Sequence, residues 1–242
     1  MSLMSATMNV EDLRELQRLL ASMVKECRVE IEECGWLIKC VDPAHVAALN
    51  IQVEASALGD YQAEPRMIQL DVERLGTMLK QAPRKGSVDI RLDDSHLTWE
   101  ADNLTWRQRL IDCDTSDVRV PHMGNPATCN VDLAELVRSA KMAATVSEEI
   151  RLTLEGEALT LLSTDGSDDA RMMLPTLKPS GRASVKLPLD YWQAAVKAIP
   201  QDTVTLELGD DRPVQFNLSA WDGGLSGRYL IAPRIDGEGV RA

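Results

Sequence analysis

Cysteine and histidine are the first side chains in this sequence that could do chemistry. Cys34, Cys40 and His45 lie close together along the chain, and thiolate and imidazole serve as metal ligands and in nucleophilic pairs. Their spacings match no common ligand pattern, and the five cysteines include no CxxC pair. We therefore expect buried free thiols, with no metal site, no cofactor and no catalytic Cys/His pair.

Carboxylates are the second candidate, in the run "STDGSDD" at residues 163–169. Paired carboxylates can act as general acid and base. This run is rich in turn-forming residues, where solvated acids are the usual occupants. No nucleophile and base stand together at a recognisable spacing. The sequence therefore predicts a protein without catalytic residues.

Composition limits the class of protein. The 242 residues are 44% hydrophobic and 26% charged, with a single phenylalanine, Phe216, which is typical of a globular protein with an aliphatic core. No apolar run is long enough to cross a membrane, so we expect a cytoplasmic location without membrane contact. The net charge of -12, taken alone, argues against nucleic acid as a partner.

The two halves of the chain resemble each other with a period of about 120 residues. The segment "NVEDLREL" from Asn9 has a counterpart in "NVDLAEL" from Asn130, and each predicts an amphipathic helix. The segments 70–83 and 187–200 are each predicted as a helix that ends at a proline, and their alignment brings Lys80 to Lys197. The pair 110–111 then falls opposite 230–231, both reading Leu-Ile.

Each half reads as helix, strands, helix, strands, and "SATMN" near the N-terminus is expected to join a sheet. This predicts an α+β fold that duplicates one module of long antiparallel sheets with two helices. We place the first domain at 1–115, a connector at 116–130 and the second domain at 131–242. The connector is rich in turn formers and lacks helical or strand periodicity.

Every predicted helix carries basic charge. For any one helix, the simpler interpretation is a solvated face paired with neighbouring acids. Four basic helices on one side of the sheets would instead give a locally positive surface that can meet phosphates. Aromatic platforms for single strands are missing there, which favours a duplex held by its backbone. The candidate residues are Arg14, Arg18, Lys80, Arg84, Arg138, Lys141 and Lys197.

Several segments together carry a family resemblance. They are "CVDPAHVAALNI", "DVERLGTMLKQA", "LIDCD", "PLDYWQAAVKAIP", "TVTLELGDDRPVQF" and "YLIAPRID". In this order and spacing the chain resembles the sliding clamps of the proliferating cell nuclear antigen family, especially the archaeal ones. The resemblance implies two similar clamp domains, with sheets outside and helices lining the inner face. Three chains would form a pseudo-sixfold ring.

The resemblance also implies a hydrophobic pocket for a partner motif of a glutamine, an aliphatic residue and two aromatics. In such clamps the terminal segment returns beside the connector and the loop after "VDPAHV". Carried over to this sequence, the pocket would consist of Val41, His45, Val46, Ala48, Pro213, Tyr229, Leu230, Ile231, Ala232 and Pro233. An alternative interpretation makes "YLI" simply the last core strand.

The subunit interface implied by the resemblance pairs "WRQRLIDC" of the first domain with "ARMMLPTL" of the second. Its residues would include Arg109, Ile111, Arg171, Met172 and Met173. The sequence also departs from the family. The connector is shorter by about two residues, and Glu15, Ala21 and Thr77 stand where relatives often have lysine.

The function implied is that of a DNA polymerase processivity factor, in the cytoplasm at the nucleoid, acting in replication and repair. It would encircle duplex DNA without reading its sequence, and tether polymerase and other enzymes. Its partners would be a clamp loader, motif-bearing proteins and two further copies in a homotrimer. The alternative is a clamp-fold interaction scaffold that does not hold DNA.

Overall fold

The computed structural model describes residues 2–113 and 118–235, and it shows one succession of elements twice. Each half runs strand, helix, five strands, helix, three strands. The first half contains β1 (Met4–Asn9), α1 (Val10–Ala21), β2 (Glu26–Glu32), β3 (Gly35–Val41), β4 (Ala47–Glu54), β5 (Gly59–Ala63), β6 (Arg66–Asp71), α2 (Val72–Leu79), β7 (Ser87–Leu92), β8 (His96–Ala101) and β9 (Leu104–Arg109).

The second half repeats this order from residue 127. It contains β10 (Ala127–Asp132), α3 (Leu133–Ala143), β11 (Glu149–Glu155), β12 (Ala158–Thr164), β13 (Asp169–Pro175), β14 (Leu177–Ser180), β15 (Ala183–Pro188), α4 (Leu189–Ala198), β16 (Thr203–Leu208), β17 (Val214–Ala220) and β18 (Leu225–Ile231). The predicted duplication of an α+β module is confirmed. The predicted boundary between 115 and 116 lies outside the described residues.

All four helices lie where the sequence predicts them, and local chemistry explains three of their starts. The side chains of Asn9, Asp71 and Asp132 accept hydrogen bonds from first-turn amides of α1, α2 and α3. Such N-caps satisfy amides that have no partner within the helix. Helix α4 instead begins after Pro188 without a side-chain cap.

The strands form three antiparallel sheets, one of which runs through both halves. Its order is β14-β10-β16-β17-β18-β4-β3-β2-β6, and β18 and β4 make the junction between the halves. The five-stranded sheet has the order β5-β1-β7-β8-β9, and the four-stranded sheet β13-β12-β11-β15. The nine-stranded sheet therefore consists of two parts joined at β18 and β4. One part, β14 to β18, has the same arrangement as the five-stranded sheet, and the other, β4 to β6, has that of the four-stranded sheet.

The helices form one layer against these sheets. Helix α1 contacts both α2 and α4, and α4 contacts α3. A continuous apolar core fills the space between helices and strands, with Trp192, Phe216 and Tyr229 among its largest fully buried side chains. Among the described residues, no helix is long and apolar enough to cross a membrane.

The strand registers correct the alignment of the two halves. The helix caps Asn9 and Asp132 occupy equivalent places, so the pairing of Asn9 with Asn130 was wrong by two residues. From each cap the strand pairing can be followed across the sheet, from β1 through β7 and β8 to β9 in the first half and from β10 through β16 and β17 to β18 in the second. These registers make Gln108 the counterpart of Ile231. The sequence alignment of the Leu-Ile pairs was therefore wrong by three residues. A shift by an odd number exchanges the two faces of a strand.

Candidate functional site

The helix layer presents most of the predicted basic residues to solvent. Arg18 keeps 59% of its side-chain surface exposed and Arg138 keeps 68%. The remaining exposed members are Lys80, Arg84, Lys141 and Lys197. These four form no ion pair with the described part of the chain. Their charge is therefore available to an external anion.

Arg14 is an exception, because its guanidinium is used within the protein. Its two terminal nitrogens donate to the carbonyls of Leu79, Ala82 and Arg84 at 2.9, 3.0 and 3.0 Å. These carbonyls lie at and after the end of α2, where backbone acceptors lack helical partners. The expectation of a solvent-facing Arg14 was wrong, since this side chain ties α1 to the end of α2.

Acidic residues moderate the charge of the helix layer. Glu15 lies 3.7 Å from Arg18 and also accepts a hydrogen bond of 2.8 Å from the indole nitrogen of Trp221. Glu135 pairs with Arg138 at 2.8 Å. Exposed pairs of this kind are weak and exchange readily for other partners. A polyanion could therefore still recruit both arginines.

A cleft lies at the junction between the two halves of the chain. Its walls include Val46 from the loop after β3, Pro188 and Leu189 at the start of α4, and Ala232 and Pro233 from the segment after β18. The amide of Ala232 donates to the carbonyl of Val46 at 2.7 Å. This bond holds the terminal segment against the loop and makes them one surface.

The other predicted pocket residues divide between two faces of the sheet. Val41 pairs with Ala48, and Ala48 pairs with Leu230, so these three side chains form a row on the face away from the core. Tyr229 and Ile231 alternate with Leu230 and are fully buried in the core. Their assignment to the pocket wall was wrong, because successive strand residues point to opposite faces.

His45 and Pro213, two further residues of the predicted pocket, do not line the cleft. His45 is exposed and adopts φ of 58°, an uncommon conformation for a residue with a side chain. The carbonyl of Pro213 accepts a hydrogen bond of 2.9 Å from the side-chain amide of Asn125 in the connector. The described part of the connector is also held by Arg212, which donates to Gly124, and by Arg228, which donates to Val120. It therefore crosses the outer face of β16 to β18.

The strands that carry the predicted interface residues both lie at sheet ends, as expected. Strand β9 ends the five-stranded sheet and β13 ends the four-stranded sheet. Arg109, Ile111, Arg171 and Met173 are exposed. Ile111 lies beyond the end of β9 and forms an isolated antiparallel bridge with Gln69 of β6. Met172 is half-buried and packs against the core of its own chain.

The cysteines and the carboxylates of residues 163–169, the first candidates for chemistry in the sequence, form contacts within the fold. Cys40 is buried, and its thiol lies 3.7 Å from the sulfur of Met23. Cys34 is exposed, so the expectation of a buried thiol was wrong for this residue. The Asp165 carboxylate accepts from the amides of Ser167 and Asp168 at 3.0 and 2.8 Å, which organises a turn. These bonds lower the pKa of Asp165. Within residues 2–113 and 118–235, no group of three or more His, Cys, Asp or Glu could hold a metal ion.

Comparison with known proteins gives consistent relatives over almost the whole chain. The DNA polymerase sliding clamp of Methanothrix thermoacetophila is 30% identical, with 98% of this chain and 100% of the relative aligned. The DNA polymerase sliding clamp of Methanosarcina mazei is also 30% identical, over 96% and 99%. The chain belongs to the DNA polymerase sliding clamp family. No protein-family model matches it.

Solved structures show the clamp fold as well. A structure described as the C-terminal region of FEN-1 bound to A. fulgidus PCNA has a TM-score of 0.89 at 23% identity, covering 97% of this chain and all of that one. PCNA from Thermococcus kodakaraensis has a TM-score of 0.88 at 19% identity, covering 96% and 100%. At these identities the likeness concerns the fold alone.

Sequence reasoning missed several residues of the clamp's cleft. Pro188, Leu189 and Gln193 come from the start of α4, and Ala144 comes from the end of α3. They lie far along the chain from "VDPAHV" and "YLIAPRID", which carried the prediction. The available signal was Pro188 itself, because proline before a helix often marks a fixed entry of the chain.

Proposed function

We propose that three copies of this clamp chain close into a ring that encircles duplex DNA and tethers DNA polymerase and other enzymes, with no catalysis of its own. The observation that carries this proposal is the incomplete repeat of the sheets. Within the chain, β18 pairs with β4. Their counterparts β9 and β13 end separate sheets. Pairing β9 of one copy with β13 of the next would rebuild the nine-stranded sheet.

The internal junction also specifies how these edges would meet. Tyr229 lies opposite Leu49 at the junction. Their counterparts are Trp106 and Ala170, as given by the registers within each half. The same register sets Leu104 against Met172 and Arg107 against Asp169. Apolar side chains thus meet on the inner face and opposite charges on the outer face, which suits antiparallel pairing.

Because each copy offers one β9 and one β13, the contact is head-to-tail, and such contacts form a ring when the rotation from copy to copy closes. Each chain already supplies two similar modules, so three chains would give six around the ring. Identical copies suffice, since both complementary edges belong to the same chain. We infer a homotrimer of about three times the 26.7 kDa chain mass.

A cysteine cross-link tests this register directly. In a chain with Cys34→Ser and Cys113→Ser, Thr105→Cys and Arg171→Cys lie opposite each other and should form a disulfide between copies. The control pair, Arg107→Cys with Arg171→Cys, is displaced by two residues, beyond the usual disulfide distance between Cα atoms. A covalent trimer only in the first variant supports the proposal. No cross-link in a chain that remains monomeric by light scattering would contradict it.

The basic helices would face the hole of such a ring and meet phosphates without reading bases. Replacing Lys80, Arg84, Arg138, Lys141 and Lys197 by alanine removes most of this charge. Arg14 is kept, because it holds the end of α2. Polymerase stimulation on primed circular DNA should fall, and the salt dependence of binding should become shallower. Unchanged stimulation would favour the scaffold alternative, which the names of the relatives do not favour.

The junction cleft would receive a short motif of the tethered enzyme. One structural neighbour is described with the C-terminal region of FEN-1 bound to it, which supplies a probe. We expect this region to bind with micromolar affinity, about -8 kcal/mol, typical of a segment that orders on binding. Pro233→Ser should weaken it, since Pro233 lines the cleft. Tethering acts by raising the effective concentration of polymerase at the primer end.

A further inference from the structure

The loop that forms one wall of the cleft is organised by a single buried carboxylate. Asp42 is 3% exposed. Its Oδ1 accepts from the amides of Val46 and Ala47, both at 2.6 Å, and its Oδ2 accepts from the amide of Ala44 at 3.0 Å. The loop also contains His45 in its left-handed conformation. The carboxylate thus fixes a turn that the backbone would rarely adopt alone.

A fourth hydrogen bond reaches this carboxylate from the other half of the chain. The hydroxyl of Tyr191, in the first turn of α4, donates to Oδ2 of Asp42 at 2.7 Å. The Tyr191 ring lines the cleft beside Pro188 and Val46. The loop is therefore held on one side by Tyr191 and on the other by the bond between Ala232 and Val46.

The direction of this bond is fixed by the charges of its partners. Burial raises the pKa of Asp42, but the bonds from Ala47, Tyr191, Ala44 and Val46 together lower it below its usual range. The pKa of Tyr191 is raised to about 12, first by its bond to Asp42. Near neutral pH the carboxylate is ionised and the phenol is protonated. A charged acceptor makes a stronger hydrogen bond than a neutral one.

We propose that Tyr191 and Asp42 are positioning residues for the partner cleft. The Tyr191 hydroxyl, acting through the Asp42 carboxylate, holds the loop 43–46 in the shape that keeps Val46 beside Ala232 and Pro233. This inference rests on the proposed function, since it assumes that the cleft binds a peptide. When the loop is already ordered before the peptide binds, binding does not have to include the entropic cost of ordering the loop.

Tyr191→Phe removes the hydroxyl and retains the ring that lines the cleft. With the C-terminal region of FEN-1 as probe, we expect its dissociation constant to rise about five- to tenfold in calorimetry. Tyr61→Phe is the matched control, because the Tyr61 hydroxyl donates to the carbonyl of Glu32 at 2.6 Å, outside the cleft. The control should bind like the parent.

A double-mutant cycle separates positioning from direct contact. If the hydroxyl acts through Asp42, Tyr191→Phe should add no further loss in an Asp42→Ala chain. An equal loss in both backgrounds, or parent-like binding by Tyr191→Phe, would overturn the inference.

Amide exchange gives a readout that needs no peptide. The amides of Ala44, Val46 and Ala47 should exchange faster in Tyr191→Phe, while the amides of β11 and β12 keep their rates. If the parent does not bind the probe, the proposed tethering function fails, and unchanged exchange at these three amides would then overturn the positioning role as well.

Discussion

The junction of β18 with β4 inside the chain and the two open edges, β9 and β13, share one strand arrangement but carry different side chains. At the junction, β18 presents Tyr229 and Ile231 to the core, both fully buried. The counterpart strand β9 has Trp106 and Gln108 at those positions, and Arg107 where β18 has Leu230. The permanent junction is apolar, whereas the edge carries charge. An edge that is exposed before assembly needs charge to avoid pairing with the wrong strand.

The turn before each partner strand differs in the same way. Asp42 before β4 is buried and receives the Tyr191 hydroxyl from across the junction. Its counterpart before β13 is Asp165, which is exposed and organises only its own turn. The counterpart of Tyr191 is Arg74 in α2. Across the proposed subunit contact, a salt bridge would therefore stand where the junction has a buried hydrogen bond.

The largest expected effect comes from breaking the junction at Gly227. This residue has φ of 150°, and a Cβ built on it would lie 2.2 Å from the carbonyl oxygen of Asn50 in β4. Gly227→Ala should lower the free energy of unfolding by about 3 kcal/mol, through backbone strain and separation of the strands. Denaturant titration measures this loss.

The matched control is Gly86→Ala. Gly86 also has a positive φ, of 114°, but a Cβ there would meet nothing within 4 Å. Gly86→Ala should therefore lower the free energy of unfolding only by the backbone strain. Equal losses in the two variants would show that close approach of β18 and β4 does not matter.

The next largest effect concerns the open edges. Ala170→Asp places a charge opposite the apolar ring of Trp106 in the proposed contact, and it does so three times per ring. We expect mostly monomer by light scattering at micromolar concentration, with thermal unfolding little changed. Ala134→Asp, at an exposed position of α3, is the control and should leave the trimer intact.

Particular residues show how far the sequence could predict this molecule. Amphipathic patterning and the alignment of the two halves located all four helices, and the repeat predicted the duplicated fold. The sequence did not reveal that Arg14 binds three carbonyls at and after the end of α2, because those bonds depend on how two helices pack. Nor did it separate Leu230 from Tyr229 and Ile231, since a run of apolar residues hides the alternation of faces.

A charge exchange sharpens the comparison at the outer face of the edge. Arg107 pairs with Asp93 of its own chain at 2.9 Å, and the register sets it opposite Asp169 of the next copy. Arg107→Glu should raise the dissociation constant of the ring about tenfold, because like charges then face each other. Adding Asp169→Arg should restore much of the affinity. A double variant weaker than the single would contradict the register.

A smaller effect is expected at Arg74. It pairs with Asp71 at 3.2 Å and is 68% exposed, so it can turn to Asp165 of the next copy at little cost. Arg74→Ala should weaken the ring about three- to fivefold, the range of exposed ion pairs. Arg91→Ala, which breaks the pair with Glu100, is the control. Sedimentation at several protein concentrations measures both, and identical values would remove Arg74 from the contact.

An effect of similar size distinguishes the buried carboxylate of the junction by its pH dependence. The pKa of Asp42 is lower in the folded chain than its ordinary value of about 3.9. The stability that its ionised form contributes is therefore fully present above about pH 4 and is lost as the pH falls through the folded pKa.

At pH 7, the free energy of unfolding of Tyr191→Phe should be about 1 kcal/mol lower than that of the parent. This difference should shrink below pH 4, because a protonated Asp42 is a weaker acceptor. Tyr61→Phe, whose hydroxyl bonds to a carbonyl that does not titrate, should differ from the parent by an amount independent of pH. A Tyr191→Phe difference that stays constant across the pH range in which Asp42 of the folded parent becomes protonated would mean that the hydroxyl does not act on an ionised Asp42.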